Sequence, residues 1–405
     1  MSCQHETPLP TAPPVNQPLL ESLAWLQEEL GTIKSDNLFR PVRIRSGRQS
    51  NTVILNGLSL INFGANDYLG YAGDPRLIKA SAKGACAEGA GAGASPLVSG
   101  HSSLHDTLGK NLSLLLGTED SLIFPSGYAA NTATISCLAG PGDLIVSDAH
   151  NHASIIDGCR LSRADVRLYP HRNITAAAEL LQTIPARRRL IVTDSLFSMD
   201  GTIAPLTGLA QLAHDTQSML LVDEAHATGL FGIHGSGLIE AAGIASSVAV
   251  RIGTLSKALG SAGGFVSGHH ALIEFLRHRA RSWMFSTAHP PASAAVAIES
   301  MKLVSEEPFR RHRLAANACR FRQKLSNHEI NIGEAEAHIV PVFLETPQKA
   351  VEIAASLTRD GFFVPAIRPP SVPRDSSLLR ISLSYIHTQD TIDALSDLII
   401  NYVGT

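Results

Sequence analysis

Between Ser121 and about Ser267 the chain repeats one pattern: a short apolar run, then a stretch of helical periodicity. The runs are Leu122-Ile123-Phe124, Leu144-Ile145-Val146, Val166-Arg167-Leu168, Leu190-Ile191-Val192, Met219 to Val222, Val248 to Ile252 and Phe265-Val266. Runs this short, bounded by turn residues, read as strands. Strands that alternate with helices build a mostly parallel sheet covered on both faces. In such open sheets ligands bind outside the carboxyl ends of the strands. Three successive runs deliver polar groups at that edge. Leu190-Ile191-Val192 leads into Thr193-Asp194-Ser195, with Phe197-Ser198-Met199-Asp200-Gly201 just beyond. Met219 to Val222 ends in Asp223-Glu224-Ala225-His226, and Val248 to Ile252 leads into Gly253-Thr254-Leu255-Ser256-Lys257-Ala258-Leu259-Gly260.

A length of 405 residues allows one large domain and a smaller one. The expected division is a tail (1–18), an N-terminal helix and hairpin arm (19–60), a large domain (61–293), and linking helices with a small C-terminal domain (294–405). The tail is polar and proline-rich and reads as disordered. It has neither a basic n-region nor an apolar h-region, so it is not read as a signal peptide. Leu19, Leu23, Leu26 and Leu30 fall on one helical face. Val53-Ile54-Leu55 and Leu58-Ser59-Leu60 flank Asn56-Gly57, the strongest short hairpin signal. Asp74-Pro75 opens a helix, residues 89–100 form a glycine-rich loop, and Leu104, Leu108, Leu112 and Leu115 mark a helix closed by Gly117. Two helical pieces meeting at Pro308 lead to strands over Ile339 to Leu344, Phe362 to Val364 and Leu378 to Leu383, with a helix near 348–359 and another at the end.

A hydrophobic fraction of 44%, a charged fraction of 17% and a net charge of -3 fit an ordinary soluble protein. They offer no electrostatic case for nucleic acid or an anionic membrane. No apolar run approaches the roughly 20 residues of a membrane helix, and a cytoplasmic enzyme is expected. Five cysteines without regular spacing argue against a disulfide framework, and Cys86, Cys137 and Cys159 read as reduced core residues.

Lys257 sits among small and apolar residues. Glycines let backbone and ligand approach closely, and apolar walls lower an amine's pKa and leave more of it free to attack a carbonyl. By itself the stretch reads first as a mobile glycine-rich loop. Ser126-Gly127-Tyr128 follows a strand and opens a helix, a junction suited to a phosphate or simply to an ordinary turn. Asp223-Glu224-Ala225-His226 shares its letters with helicase-type motors, but Gly109-Lys110-Asn111 is no phosphate loop. Neither Gly263-Gly264 nor the 89–100 loop has the spacing of a dinucleotide turn. His150 and His152, two residues apart, lie on opposite sides of a helix with no third ligand near in sequence, so no metal site is expected. One chemistry uses the set together. Pyridoxal phosphate needs a lysine, an aspartate for its ring nitrogen and donors for its phosphate. Asp223 and Lys257 are 34 residues apart, which suits one βαβ unit.

These residues belong to longer motifs: Asn62-Phe63-Gly64-Ala65-Asn66-Asp67-Tyr68-Leu69-Gly70, the Ser126-Gly127-Tyr128 turn, His152-Ala153-Ser154, Phe197 to Gly201, Asp223 to Gly229 and Thr254 to Gly260. As a set they resemble the α-oxoamine synthases, fold-type-I pyridoxal phosphate transferases of α/β class with a large domain and a small C-terminal α+β domain. The likeness runs from about Leu19 to the C-terminus. It implies that Lys257 links to the cofactor aldehyde, Asp223 pairs with the ring nitrogen, His226 meets the ring hydroxyl and His152 stacks on the ring. Gly127, Tyr128, Ser198 and Thr254 would complete the cofactor site. Arg380 would hold an amino-acid carboxylate. Ser286 and Thr287 would reach the phosphate of a neighbouring subunit, which implies a homodimer. Arg40, or Arg43, would meet the acyl substrate, and Ser371 would add a hydroxyl.

The four prolines in Phe362 to Pro373 stiffen a loop ahead of the Arg380 strand. Its order, Ala366-Ile367-Arg368-Pro369-Pro370-Ser371-Val372-Pro373, resembles the branch of the family that joins L-alanine to a pimeloyl thioester in biotin biosynthesis. The acyl group would arrive as pimeloyl-CoA or on a pimeloyl carrier protein. The resemblance thus implies a decarboxylating C-acyltransferase. A relative using glycine or serine with another acyl-CoA is the alternative, and a non-catalytic small-molecule-binding protein is the other class.

Overall fold

The computed structural model describes residues 17–373 and 375–404. The expected tail lies outside the described residues as far as 16, while residues 17 and 18 already belong to the helix Gln17–Ser22. A second helix, Ala24–Ser35, follows, so the expected leucine-faced helix is broken at Leu23. Neither piece packs its apolar face: Leu19, Leu26 and Leu30 are all exposed.

Three strands come next: β1 (Arg45–Ser46), β2 (Thr52–Leu55) and β3 (Leu58–Asn62). Asn56 and Gly57 join β2 to β3 with φ of 48° and 84°. Positive φ at both central residues is what a tight hairpin turn needs to match the strand twist. The helix Pro75–Glu88 starts as expected, with Asp74 accepting from the Arg76 amide at 2.9 Å.

The large sheet takes β4 (Asp120–Phe124), β5 (Leu144–Asp148), β6 (Asp165–Tyr169), β7 (Arg189–Asp194), β8 (Met219–Asp223), β9 (Val250–Thr254) and β10 (Gly264–Gly268). Their spatial order is β4-β10-β9-β8-β7-β5-β6. The run from β9 through β6 is parallel, and β10 lies antiparallel to both of its neighbours. Alternate residues feed two cores. Leu144, Val146, Ile191, Leu220 and Val222 pack on one face, and Ile145, Leu190, Val192, Leu221 and Ile252 on the other. Burial of both faces explains why these strands read as continuous apolar runs.

The helices Pro291–Glu306 and Pro308–Asn327 meet at Pro308 and lead to β11 (Ile339–Phe343). After the helix Pro347–Arg359 come β12 (Phe362–Phe363), β13 (Ala366–Ile367), β14 (Leu378–Ser382) and the last helix, Gln389–Val403. β11, β14 and β13 form an antiparallel sheet in that order. β12 instead pairs in parallel with β3, which places the N-terminal hairpin and a C-terminal strand in one sheet. That union of distant segments was not expected from the sequence. Cys86 is exposed rather than in the core, because its helix turns Leu77 and Gly84 inward instead. Among the described residues no helix is long and apolar enough to cross a membrane.

Candidate active site

β7, β8 and β9 lie side by side and end at Asp194, Asp223 and Thr254. Asp194 and Asp223 stand opposite each other in the ladder. Burial, and then the Asp223 charge, push the Asp194 carboxyl well above the usual carboxylate range. Asp194 accepts from the His152 amide at 2.7 Å. Asp223 is buried and accepts from Asn131 Nδ2 at 2.6 Å and from the Ala225 amide at 2.8 Å. No cation of the described residues forms an ion pair with it. Asn131 also donates to Ser154 Oγ at 3.0 Å, so one amide ties the helix Gly127–Leu138 to β8 and to the helix Ala153–Ser162.

Lys257 Nζ lies 2.7 Å from His226 Nε2. His226 Nδ1 lies 2.7 Å from the Tyr68 hydroxyl, which donates to Asn66 Oδ1 at 2.9 Å. If Lys257 donates to His226, then His226 donates to Tyr68, and each member of the chain gives one proton. Burial pushes the Lys257 amine down to about 8, with Arg380 adding to the effect and Asp223 and Asp194 opposing it. Burial and the neighbouring cations hold His226 well below its usual value, so its imidazole stays neutral.

Arg380 is buried. Its Nε donates to the Ser198 carbonyl at 2.5 Å, and one terminal nitrogen donates to Ser382 Oγ at 2.8 Å and Asn66 Oδ1 at 3.2 Å. Among the described residues no carboxylate pairs with it. A buried guanidinium held only by neutral acceptors is prepared for an anion.

Ser126 caps the helix Gly127–Leu138 by accepting from the Ala129 amide at 3.1 Å. The amides of Gly127 and Tyr128 lack intrahelical acceptors at that end. A Cβ on Gly127 would lie 3.4 Å from Thr254 Cβ, an ordinary contact, so the end of β9 lies directly against the helix terminus. Thr254 Oγ1 and Ser256 Oγ are 2.7 Å apart beside it. Positive helix end, amides and hydroxyls together make an anion site.

The family described as aminotransferase class I and II matches residues 59–399. The chain belongs to that family. An 8-amino-7-oxononanoate synthase of Anaeromyxobacter dehalogenans is 43% identical over 372 residues, covering 92% of this chain and 94% of that protein. A serine palmitoyltransferase from S. paucimobilis, solved with a PLP–myriocin adduct bound, has a TM-score of 0.89 at 30% identity and covers 95% of this chain and 98% of its own. An 8-amino-7-oxononanoate synthase of Francisella tularensis has a TM-score of 0.75 at 27% identity, over 85% of this chain and 98% of its own.

As a member of the aminotransferase family with these relatives, the chain is a fold-type-I transferase whose cofactor is pyridoxal phosphate. The residues present suit that group. A desolvated lysine amine, a buried carboxylate with no ion pair among the described residues and a helix terminus with two hydroxyls lie around one sheet edge.

His152 stands at the rim of this cluster: its amide donates to Asp194, burial lowers its imidazole pKa, and Asp223 (raising) and Lys257 (lowering) both act on it. Its Nδ1 lies 2.8 Å from Ser154 Oγ and caps the helix. Other expected residues stand apart. The Tyr128 hydroxyl donates to Asp157. Ser286 Oγ donates to its neighbour's carbonyl at 3.3 Å, and Thr287 is exposed, so within this chain neither reaches the Lys257 group. Arg40 donates to the Arg368 and Pro369 carbonyls, at 3.2 and 2.5 Å, and thereby ties down the proline-rich loop. Arg43 lies over the Phe363 ring at 5.3 Å. Ser371 is exposed and lines a cavity of about 430 Å³.

His150 is grouped not with His152 but with His171 and Asp200, whose ligand atoms lie within 4.8 Å of one another. The His150 and His171 rings stack at 4.1 Å and 11°. Imidazole lone pairs lie in the ring plane, so two parallel rings cannot share one ion in this arrangement. Sequence reasoning assigned no part to Tyr68, Asn66, Asn131, Asp194 or His338. The Asn62–Gly70 motif carries the first two. Nothing local marks His338, whose buried ring packs edge-on against Tyr68 at 4.1 Å.

Proposed function

We propose that this chain condenses L-alanine with a pimeloyl thioester, releases carbon dioxide and forms 8-amino-7-oxononanoate for biotin biosynthesis. Relatives of that name at 43% identity over most of the chain support the substrate pair. The observation that carries the amino-acid half is Arg380, a buried cation without a carboxylate, bonded to the same Tyr68–Asn66 group that continues to Lys257.

Pyridoxal phosphate, when bound, supplies an aldehyde that captures the amino group and a ring that accepts charge when a bond at the α-carbon breaks. Lys257 would hold the cofactor by its amine and, when that amine is free, would take the α-proton on Nζ. A pKa pushed down to about 8 keeps a useful fraction of that amine unprotonated near neutral pH. Asn131 and the Ala225 amide fix the orientation of the Asp223 carboxylate, which would hold a proton on the ring nitrogen. With Lys257 turned to the cofactor, His226 Nε2 would be free to meet the ring hydroxyl, and His152 would cover one face of the ring. Gly127, Tyr128, Ser198 and Thr254 would complete the pocket. Arg380 orients the alanine carboxylate, the group that later leaves as carbon dioxide. A purified holoenzyme offered alanine, serine and glycine with acetyl, succinyl, pimeloyl and palmitoyl thioesters tests the assignment. A higher specificity constant for any pair other than alanine and pimeloyl overturns it. Serine is the second reading, favoured by the TM-score of 0.89 to serine palmitoyltransferase but opposed by the lower identity of 30%.

The enzyme is further read as a homodimer, with Ser286 and Thr287 lent to the partner's phosphate site. The exposed leucines of the N-terminal helices and the distance of Ser286 and Thr287 from any function in their own chain support this. A Thr287→Ala chain mixed with a Lys257→Ala chain should then recover part of the activity. No recovery in a verified hybrid counts for self-contained sites. The exposed thiols of Cys86 and Cys319 fit a reducing cytoplasm.

A further inference from the structure

We propose that His150 selects acyl thioesters that end in a carboxylate, by meeting that carboxylate in the cavity beneath the proline-rich loop. This rests on the condensation proposed above. The cavity of about 430 Å³ has apolar walls from Ile156, Phe197, Met199, Phe343, Val372 and Leu378. Phe197 and Met199 flank Ser198, whose carbonyl accepts from Arg380, so the cavity adjoins the amino-acid side of the site. An alkyl chain suits such walls, and a terminal carboxylate needs a cation or donor. Among the described residues that line it, His150 is the one basic side chain and Asp200, its own partner, the one acidic side chain. Arg40 and Arg43 do not line it, and they are engaged with the loop backbone and with Phe363.

The groups facing His150 leave one nitrogen available. Its Nδ1 donates to Asp200 Oδ2 at 2.8 Å. The other Asp200 oxygen accepts from the Thr202 amide at 3.1 Å and its hydroxyl at 2.7 Å, so that carboxylate is occupied on both sides. His171, stacked against His150, turns its nitrogens to Asp148 and Thr202, each at 2.9 Å. His150 Nε2 has no hydrogen-bond partner among the described residues, and the side chain is 51% exposed. Asp200, with Asp148 behind it, raises the imidazole pKa against the opposing effect of burial. The ring therefore presents an N–H, and in its protonated form a positive charge, to whatever ends in the cavity.

Pimeloyl and heptanoyl thioesters have the same chain length and differ at the far end by a carboxylate. The wild-type holoenzyme should prefer pimeloyl, with the acyl group offered on coenzyme A and on a carrier protein. His150→Leu should raise KM for pimeloyl by about tenfold, the loss of one charge-assisted hydrogen bond, while KM for heptanoyl holds or falls. His150→Arg should keep the preference. The wild-type ratio of the two specificity constants should shrink as pH rises and His150 loses its proton, a fall that the arginine variant lacks. Taking the ratio cancels groups that both thioesters share. Cofactor absorbance verifies that each variant is folded and loaded. An unchanged preference in His150→Leu, or an equal loss with both thioesters, overturns the role of His150 alone. A wild type that rejects pimeloyl on either carrier overturns the condensation reading as well.

Discussion

The lysine side and the arginine side of the site are built in different ways. On the lysine side, Asp194, Asp223 and Thr254 each occupy the last position of a strand, with Asp194 paired to Asp223, Asp223 to Ile252 and Thr254 to Gly264 in the sheet ladder. On the arginine side, Arg380 sits inside β14 and reaches Ser198, Asn66 and Tyr68, which are 182, 314 and 312 residues away. The first arrangement is set by sheet register, which a buried parallel sheet specifies strongly. The second depends on how the C-terminal sheet docks beside the large one. Damage on the lysine side should therefore strike the cofactor, and damage on the arginine side should strike substrate affinity.

The sharpest test of that division is Lys257→Ala. Turnover should fall by on the order of 10⁴-fold or more, because one group is both the covalent anchor and the base. Borohydride reduction and peptide mapping of the wild type should place the label on Lys257. A label on another lysine breaks the assignment.

Arg380→Lys should raise KM for alanine by about tenfold or more, since an ammonium cannot reproduce the planar fork. Cofactor absorbance should be retained. Loss of cofactor to the same degree would erase the distinction between the two sides.

A smaller and graded effect comes from pH. Below about 8 the Lys257 amine of the cofactor-free protein is mostly protonated, and above it mostly free. The rate of covalent cofactor capture should rise by about tenfold per unit as pH climbs towards 8 and then level off. Stopped-flow absorbance reads this directly. A rise that continues past pH 10 would indicate a lysine with no desolvation.

Arg40→Ala should do least. It frees the Arg368–Pro369 backbone from one tether, so KM for the thioester should rise by about threefold and KM for alanine should stay put. A large loss with alanine would mean that Arg40 serves the arginine side after all.

The sequence made the lysine side legible because its chemistry is written into strand-to-helix junctions. Asp223 with His226, Thr254 with Lys257, and Ser126 with Gly127 all lie within a few residues of an apolar run, and the period of the runs located the edge. It also marked the hairpin at Asn56-Gly57 and the break at Pro308. It misjudged Cys86 and the unbroken leucine helix, because periodicity names a helical face but not whether anything packs against it.

Local pattern could not reveal the contacts between segments far apart. β12 joining β3, Arg40 joining the loop at Arg368 and Pro369, and His150 joining His171 and Asp200 all depend on where separate elements pack. Sequence alone determined the alternating strands and helices and the reactive lysine at their edge, because short-range hydrogen bonding and apolar periodicity are local properties of the chain. Tertiary structure decided the Lys257–His226–Tyr68–Asn66 chain, the Arg380 that meets no carboxylate among the described residues, and the cavity at His150. Those depend on burial and on the distance between segments that meet only when the two sheets pack together.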